Sequence, residues 1–285
     1  MTAFPEPTTG HALQCMEIWG GNHAVETGIS TPGLDMWVYS RPYAEATDGG
    51  DVHYVSLCGG GKITRFILAD VAGHGAAVAE VARGLRTLMR RNINRKSQER
   101  LVLELNRQFA ELAQLSRFAT AVVGTYLTRG DKLTVCNAGH PRPLWYRAAT
   151  GQWSFLFGPT EDNDEVLSNL PLGVDETTTY SQVEITLGQG DLLFVYTDAL
   201  VEATNAQGEM LGEERLLELV RRLDFTEPGH AVQALLAELD RYRAGQPQED
   251  DTTFLLLSHN AGHPRKLSLL ETLDVYAKVF GLKSV

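Results

Sequence analysis

Cysteine is scarce in this chain of 285 residues, which holds only Cys15, Cys58 and Cys136. An odd count with no Cys-x-x-Cys spacing gives no disulfide framework and makes a reducing cytoplasm the simplest expected home. Long apolar runs are missing as well. None reaches the roughly 18 residues of a spanning helix, so no membrane insertion is expected. The opening residues Met1-Thr2-Ala3-Phe4-Pro5-Glu6-Pro7 have no basic flank and no apolar core, so no signal peptide is expected. Positive charge is in deficit, with 25 Lys+Arg against 36 Asp+Glu and a net charge of −11. Nucleic-acid binding needs a basic footprint, and this balance argues against it, as it does against a metal nuclease. Neither Gly-x-Ser-x-Gly nor His-Glu-x-x-His occurs, so serine-hydrolase and zinc-protease chemistry have no local support.

What remains is ordinary globular usage, 43% hydrophobic and 21% charged, which excludes a disordered chain. Residues 1–34, rich in Pro, Gly and Thr, read as an irregular lead-in. Short β-like runs follow at Met36–Tyr39, Val52–Leu57 and Ile63–Leu68, the last two joined by Gly59-Gly60-Gly61 as a hairpin turn. Two helical stripes come next, one on Val78, Val81, Leu85, Leu88 and Ile93, the other on Leu101, Leu105, Gln108, Leu112 and Leu115. More strands are expected between Phe118 and Phe155, and Val183–Leu187 with Leu192–Tyr196 reads as a hairpin pair. Helices are expected near Glu213–Leu223 and Pro228–Tyr242, with Thr226 as N-cap of the second, and Thr252–Leu257 reads as a late strand. Strands, helix pair, strands, helix pair, strand is not the alternation of a doubly wound fold. An α+β class follows, antiparallel sheet with paired helices on its outer faces.

Several acids stand beside expected strand ends: Asp51 after Gly49-Gly50, Asp70 after Leu68-Ala69, Asp198 after Tyr196-Thr197, and the pair Asp250-Asp251 before Thr252. Asp often caps backbone donors at turns, and any one of these can be read that way. Gathered on one rim, however, carboxylates repel one another unless a cation neutralises them. An all-oxygen donor set selects Mg²⁺ or Mn²⁺ over zinc, and two such ions can clamp a phosphoryl group.

Taken with Asn137-Ala138-Gly139-His140-Pro141, Leu170-Pro171-Leu172-Gly173-Val174, Gly190-Asp191-Leu192-Leu193, Glu202-Ala203 and Gly208-Glu209, these segments resemble the metal-dependent (PPM, type 2C) protein phosphatases. They are most similar to the bacterial SpoIIE/RsbU-like serine phosphatases, over roughly residues 36–258. The resemblance implies an αββα four-layer sandwich over a 35–258 domain, with a binuclear Mn²⁺ or Mg²⁺ centre. It implies hydrolysis of phosphoserine or phosphothreonine on a protein, often an anti-sigma-factor antagonist. By position it implies Asp70 as bridging ligand, the Val71 carbonyl beside it, Asp198 and Asp250 on one ion, and Asp51 on the second. Asp251 competes with Asp250 for the ligand role. Two departures from the family pattern point to an alternative, a degenerate partner-binding module. Tyr54 stands where a second acid is usual, and Ala199 where glycine is usual.

His74, in the turn after Asp70, reads either as a proton donor to the leaving oxygen or as a helix cap. His140 reads as a turn residue. Gly59-Gly60-Gly61-Lys62 lacks the spacing of a phosphate loop. The run of basic residues from Arg83 to Arg107 reads as a solvated helix face or as a dock for an acidic partner. Beyond the resemblance, residues 259–285 read as a linker and an amphipathic helix with a stripe on Leu267, Leu270, Leu273, Tyr276 and Phe280, packed on its own domain or in a homodimer.

Overall fold

The computed structural model describes residues 11–14, 17–73, 75–92, 95, 97–113, 117–158 and 168–264. In chain order the strands are β1 (His11–Ala12), β2 (Ile18–His23), β3 (Val25–Thr31), β4 (Leu34–Arg41), β5 (Asp48–Cys58) and β6 (Ile63–Val71). Helices α1 (Ala76–Asn92) and α2 (Gln98–Ala113) follow. Next come β7 (Ala119–Leu127), β8 (Lys132–Ala138), β9 (Leu144–Arg147), β10 (Gln152–Phe155), β11 (Gln182–Thr186) and β12 (Leu192–Tyr196). Helices α3 (Gly212–Val220) and α4 (Pro228–Arg243) precede the last strand, β13 (Thr252–His259).

The strands form two sheets. One runs β1-β3-β4-β13-β12-β9-β10 and the other β11-β8-β7-β6-β5-β2. Pairing is antiparallel throughout except at β1–β3. Alternation along β5 shows how the layers are assigned. Val52 and Tyr54 turn outward into a core with Val78, Leu85, Leu105 and Phe109 of α1 and α2. Val55 and Leu57 turn inward to meet Val195 and Leu255 of the other sheet. A third core, with Phe194, Phe254 and Leu256, lies under α3 and α4 through Leu216 and Leu235. Sheets buried on both faces need near-continuous apolar strands, and β12 (Leu-Leu-Phe-Val-Tyr) is one. The result is the αββα four-layer sandwich, with three apolar seams. Among the described residues no helix is long and apolar enough to cross a membrane.

Four local expectations change. Residues 18–31 are strands rather than a lead-in, because β2 closes one sheet edge on β5 and β3 lines β4. Gly20, Gly21 and Gly28 blur the period that would have revealed them. β11 and β12 are not a hairpin: β11 pairs with β8 while β12 pairs with β9 and β13, so Gly188–Asp191 carries the chain from one sheet to the other. The buried stripe of α2 is Leu101, Val102, Leu105, Asn106, Phe109, Ala110 and Ala113, leaving Leu112 exposed. The N-cap of α4 is Glu227 rather than Thr226, and it forms no side-chain capping bond. Residues 1–10, Ile93, Leu115, His74 and the expected helix after Leu267 lie outside the described residues.

Candidate metal centre

Strands β5 and β6 bring two acids face to face, since Asp51 and Asp70 are direct partners in their antiparallel register. On its other side Asp70 is paired with Thr120 of β7. Asp51 is 2% exposed. The second sheet reaches this rim through Thr197, the residue after β12, whose hydroxyl donates to Asp51 Oδ2 at 3.0 Å. The same hydroxyl accepts the Thr253 amide at 3.1 Å, so β12 and β13 are locked together where they meet the first sheet. Neither threonine was singled out from the sequence. Their only signal is position, each within two residues of an acid at a strand end.

Asp198 opens a short 3-10 turn, Asp198–Leu200, and Glu202 follows one turn later, its amide bonded to the Asp198 carbonyl at 2.8 Å. Asp250 Oδ1 accepts the Asp251 amide at 2.8 Å. The Asp251 carboxylate has a different job. It takes the amide of Tyr43 at 2.6 Å on one oxygen and those of Gly50 and Asp51 on the other. Glycine is required beneath it. A Cβ on Gly49 would come within 2.4 Å of Asp251 Oδ2, and one on Gly50 within 2.9 Å of Val78 and 3.1 Å of the Val71 carbonyl oxygen. The Asn22 side chain ties this segment to α1 by donating to the carbonyls of Gly49 and Ala79.

Electrostatics join these residues into one group. Burial, and after it the charges of Asp198, Asp250, Asp251 and Glu202, push the Asp70 carboxyl up to about 8. Burial, then Glu202 and Asp250, lift Asp198 to about 6. Asp51 is raised well above the usual carboxylate range by burial, then by Asp70 and Asp251, with the hydroxyls of Thr253 and Thr197 working the other way. No cation is among these causes. Among the described residues no three His, Cys, Asp or Glu side chains close on one point as they stand. The chemistry of the donors nonetheless fits a hard divalent cation. It is all oxygen, graded from buried Asp51 through half-buried Asp70 and Asp198 to exposed Asp250, mutually repelling, and open at the Val71 carbonyl, where Gly50 has no side chain.

His140 sits apart from this chemistry. Asn137 closes its turn by bonding both its amide and its carbonyl at 2.8 Å, and its ring lies 2.8 Å from the Thr120 hydroxyl. Burial pushes the ring down to about 3, so it stays neutral.

The family profile of stage II sporulation protein E (SpoIIE) matches residues 60–260. The chain belongs to this family. Asp70, Asp198, Asp250 and Asp251 lie within the matched segment, whereas Asp51 precedes it and joins the group through its pairing with Asp70. Solved structures agree on the fold. The RsbU and RsbW domains of Rv1364c from Mycobacterium tuberculosis superpose with a TM-score of 0.66 at 22% identity, over 90% of this chain and 72% of that one. The phosphatase domain and regulatory fragment of SpoIIE from Bacillus subtilis gives 0.65 at 15%, over 86% and 71%. Among curated relatives, the phosphoserine phosphatase RsbP of Bacillus subtilis is 22% identical over 67% of this chain and 44% of its own length. Protein IcfG of Synechocystis sp. is also 22% identical, over 81% and 39%. The chain thus spans less than half the length of these two relatives.

The SpoIIE-family departures at positions 54 and 199 look different in the folded chain. Tyr54 is 2% exposed and lies in the core beneath α1, on the opposite face of β5 from Asp51. Three residues along a strand invert the side chain, so position 54 does not face the acids. Ala199 lies inside the 3-10 turn and is not among the residues with positive φ, so its methyl group meets no backbone requirement for glycine.

Proposed function

We propose that this chain is a Mn²⁺- or Mg²⁺-dependent protein serine/threonine phosphatase, acting on a phosphoserine or phosphothreonine protein in a partner-switching pathway of the anti-sigma-factor-antagonist type. The observation that carries the reading is the convergence of Asp51 and Asp70 from one sheet with Asp198 and Asp250 from the other, where burial and then the neighbouring acids hold Asp51, Asp70 and Asp198 above the usual carboxylate range. Family membership and the name of the RsbP relative support it.

In this reading Asp70, the Val71 carbonyl, Asp198 and Asp250 hold the ions, and Asp51 serves the second. When bound, the ions supply an activated water and neutralise the phosphoryl oxygens. The remaining work belongs to the chain. Thr197 and Thr253 keep Asp51 oriented. Asp251 spends its oxygens on the amides of Tyr43, Gly50 and Asp51 and so shapes the Gly49-Gly50-Asp51 segment, which leaves the ligand role to Asp250. His74, between Gly73 and Gly75, is proposed to protonate the departing serine or threonine oxygen. The partner-binding alternative draws on Tyr54 and Ala199, but Tyr54 faces away from the acids, and the Ala199 amide bonds the Asp198 carboxylate from a backbone that does not need glycine. The test is turnover of a phosphoserine peptide and of an aryl phosphate with and without Mn²⁺. Metal-independent turnover, or none with metal, overturns the reading.

A further inference from the structure

Beside the acid rim lies a cavity of about 410 Å³ whose walls include Tyr43, Asp48, Gly49, Gly50, Arg83 and Asp251. Its lining includes the glycine pair that leads into Asp51, which sets it next to the acids. The wall carrying Tyr43 is pinned to that pair, because the Tyr43 and Gly50 amides share the Asp251 carboxylate. Tyr43 itself is 41% exposed at the mouth.

Charge selects the occupant. In the described lining only Asp48, Asp251 and Arg83 carry charge, and the Asp251 carboxylate already accepts the amides of Tyr43, Gly50 and Asp51. Arg83 is the one cation in the described lining. It stands on α1, and its only ion pair among the described residues is a loose one, 3.6 Å from Asp48, with Arg83 exposed and Asp48 half-buried. Pairs of this kind hold little free energy, so an incoming carboxylate can take the place of Asp48. An extended peptide advances about 3.3 Å per residue, so a residue a few positions from one bound at Asp51 and Asp70 reaches this cavity.

Resting on the phosphatase reading above, we infer that Arg83 is a specificity residue: it reads a carboxylate side chain a few positions from the phosphoserine of the substrate, and Asp48 competes for it from within the chain. The occupant is thus an acidic segment of the phosphoprotein.

The experiment compares two phosphoserine peptides, one flanked by Glu and one by Gln, in Mn²⁺. Binding is read by fluorescence anisotropy and turnover by phosphate release. The native chain should prefer the Glu peptide. Arg83→Glu should cut that preference about tenfold and shift it toward a Lys-flanked peptide, since charge reversal converts attraction to repulsion. Asp48→Asn, which frees Arg83, should raise it about threefold. Thermal melts confirm that both variants are folded. Equal binding of the Glu and Gln peptides by the native chain, or a preference that neither variant moves, overturns the inference. Preferential binding without any turnover overturns the phosphatase reading alone and leaves the role of Arg83 standing.

Discussion

Asp51 and Asp70 face each other across β5 and β6 as paired residues on the side turned toward the second sheet. Two carboxylates in that relation, one of them 2% exposed, cost the metal-free fold stability. The rim is therefore a site of stored repulsion, and its removal is measurable without any catalytic assay.

Asp70→Asn should stabilise the metal-free protein while abolishing turnover. The Asp70 carboxyl is raised to about 8 in the fold, against an ordinary carboxylate in the unfolded chain. The folded state therefore holds a proton that the unfolded state has lost, and stability falls as pH rises between about 4 and 8. Urea melts in chelator should show the variant on the order of 1–3 kcal/mol more stable at pH 8, with the gap closing toward pH 4. A variant less stable than the native chain at pH 8 would mean the acids do not repel.

Asp250 and Asp251 should separate cleanly. Asp250→Asn should lose Mn²⁺-dependent turnover by at least about 100-fold with little change in melting temperature. Asp251→Ala strips acceptors from the amides of Tyr43, Gly50 and Asp51 and should lower stability by about 2–4 kcal/mol. The reverse pattern in melts and metal titrations would exchange their roles.

Tyr54→Asp, which writes the family's usual acid back into the chain, should gain no activity. It places a carboxylate under α1, away from Asp51, and should destabilise the fold by about 3 kcal/mol or more. Tighter Mn²⁺ binding in this variant would show that position 54 does reach the rim.

Acid should expose the buried histidine of β5. Burial, then the charges of His23 and Arg86, push His53 down to about 3, so it is neutral in the fold. Its pKa is depressed relative to the unfolded value, so its contribution is complete above about pH 6.5 and is lost as pH falls from there toward 3. His53→Phe removes that proton, so the native chain should lose stability relative to the variant by up to about 1.4 kcal/mol per pH unit below 6.5. Parallel pH–stability curves would show that His53 titrates normally.

The sequence by itself determined the α+β class, the two helix pairs of the described residues, and the acids that gather at the rim. These are local or order-dependent signals: hydrophobic period, glycine turns, and an Asp at the end of each apolar run. Tertiary structure decided the rest. Parity sets Asp51 and Tyr54 on opposite faces of one strand, but that β5 runs from Asp48 through both, and that the Tyr54 face is the one under α1, is decided by the packing of the sheet. Whether Val183–Leu187 and Leu192–Tyr196 pair with each other or part into separate sheets depends on strands 46–66 residues away in the chain. Asp250 and Asp251 are adjacent and chemically identical. Only the amides of Tyr43, Gly50 and Asp51, about 200 residues earlier, give the second of them its own role. A side chain's type is written in the sequence, but its partners are set by contacts distant in the chain, and only the folded structure supplies those.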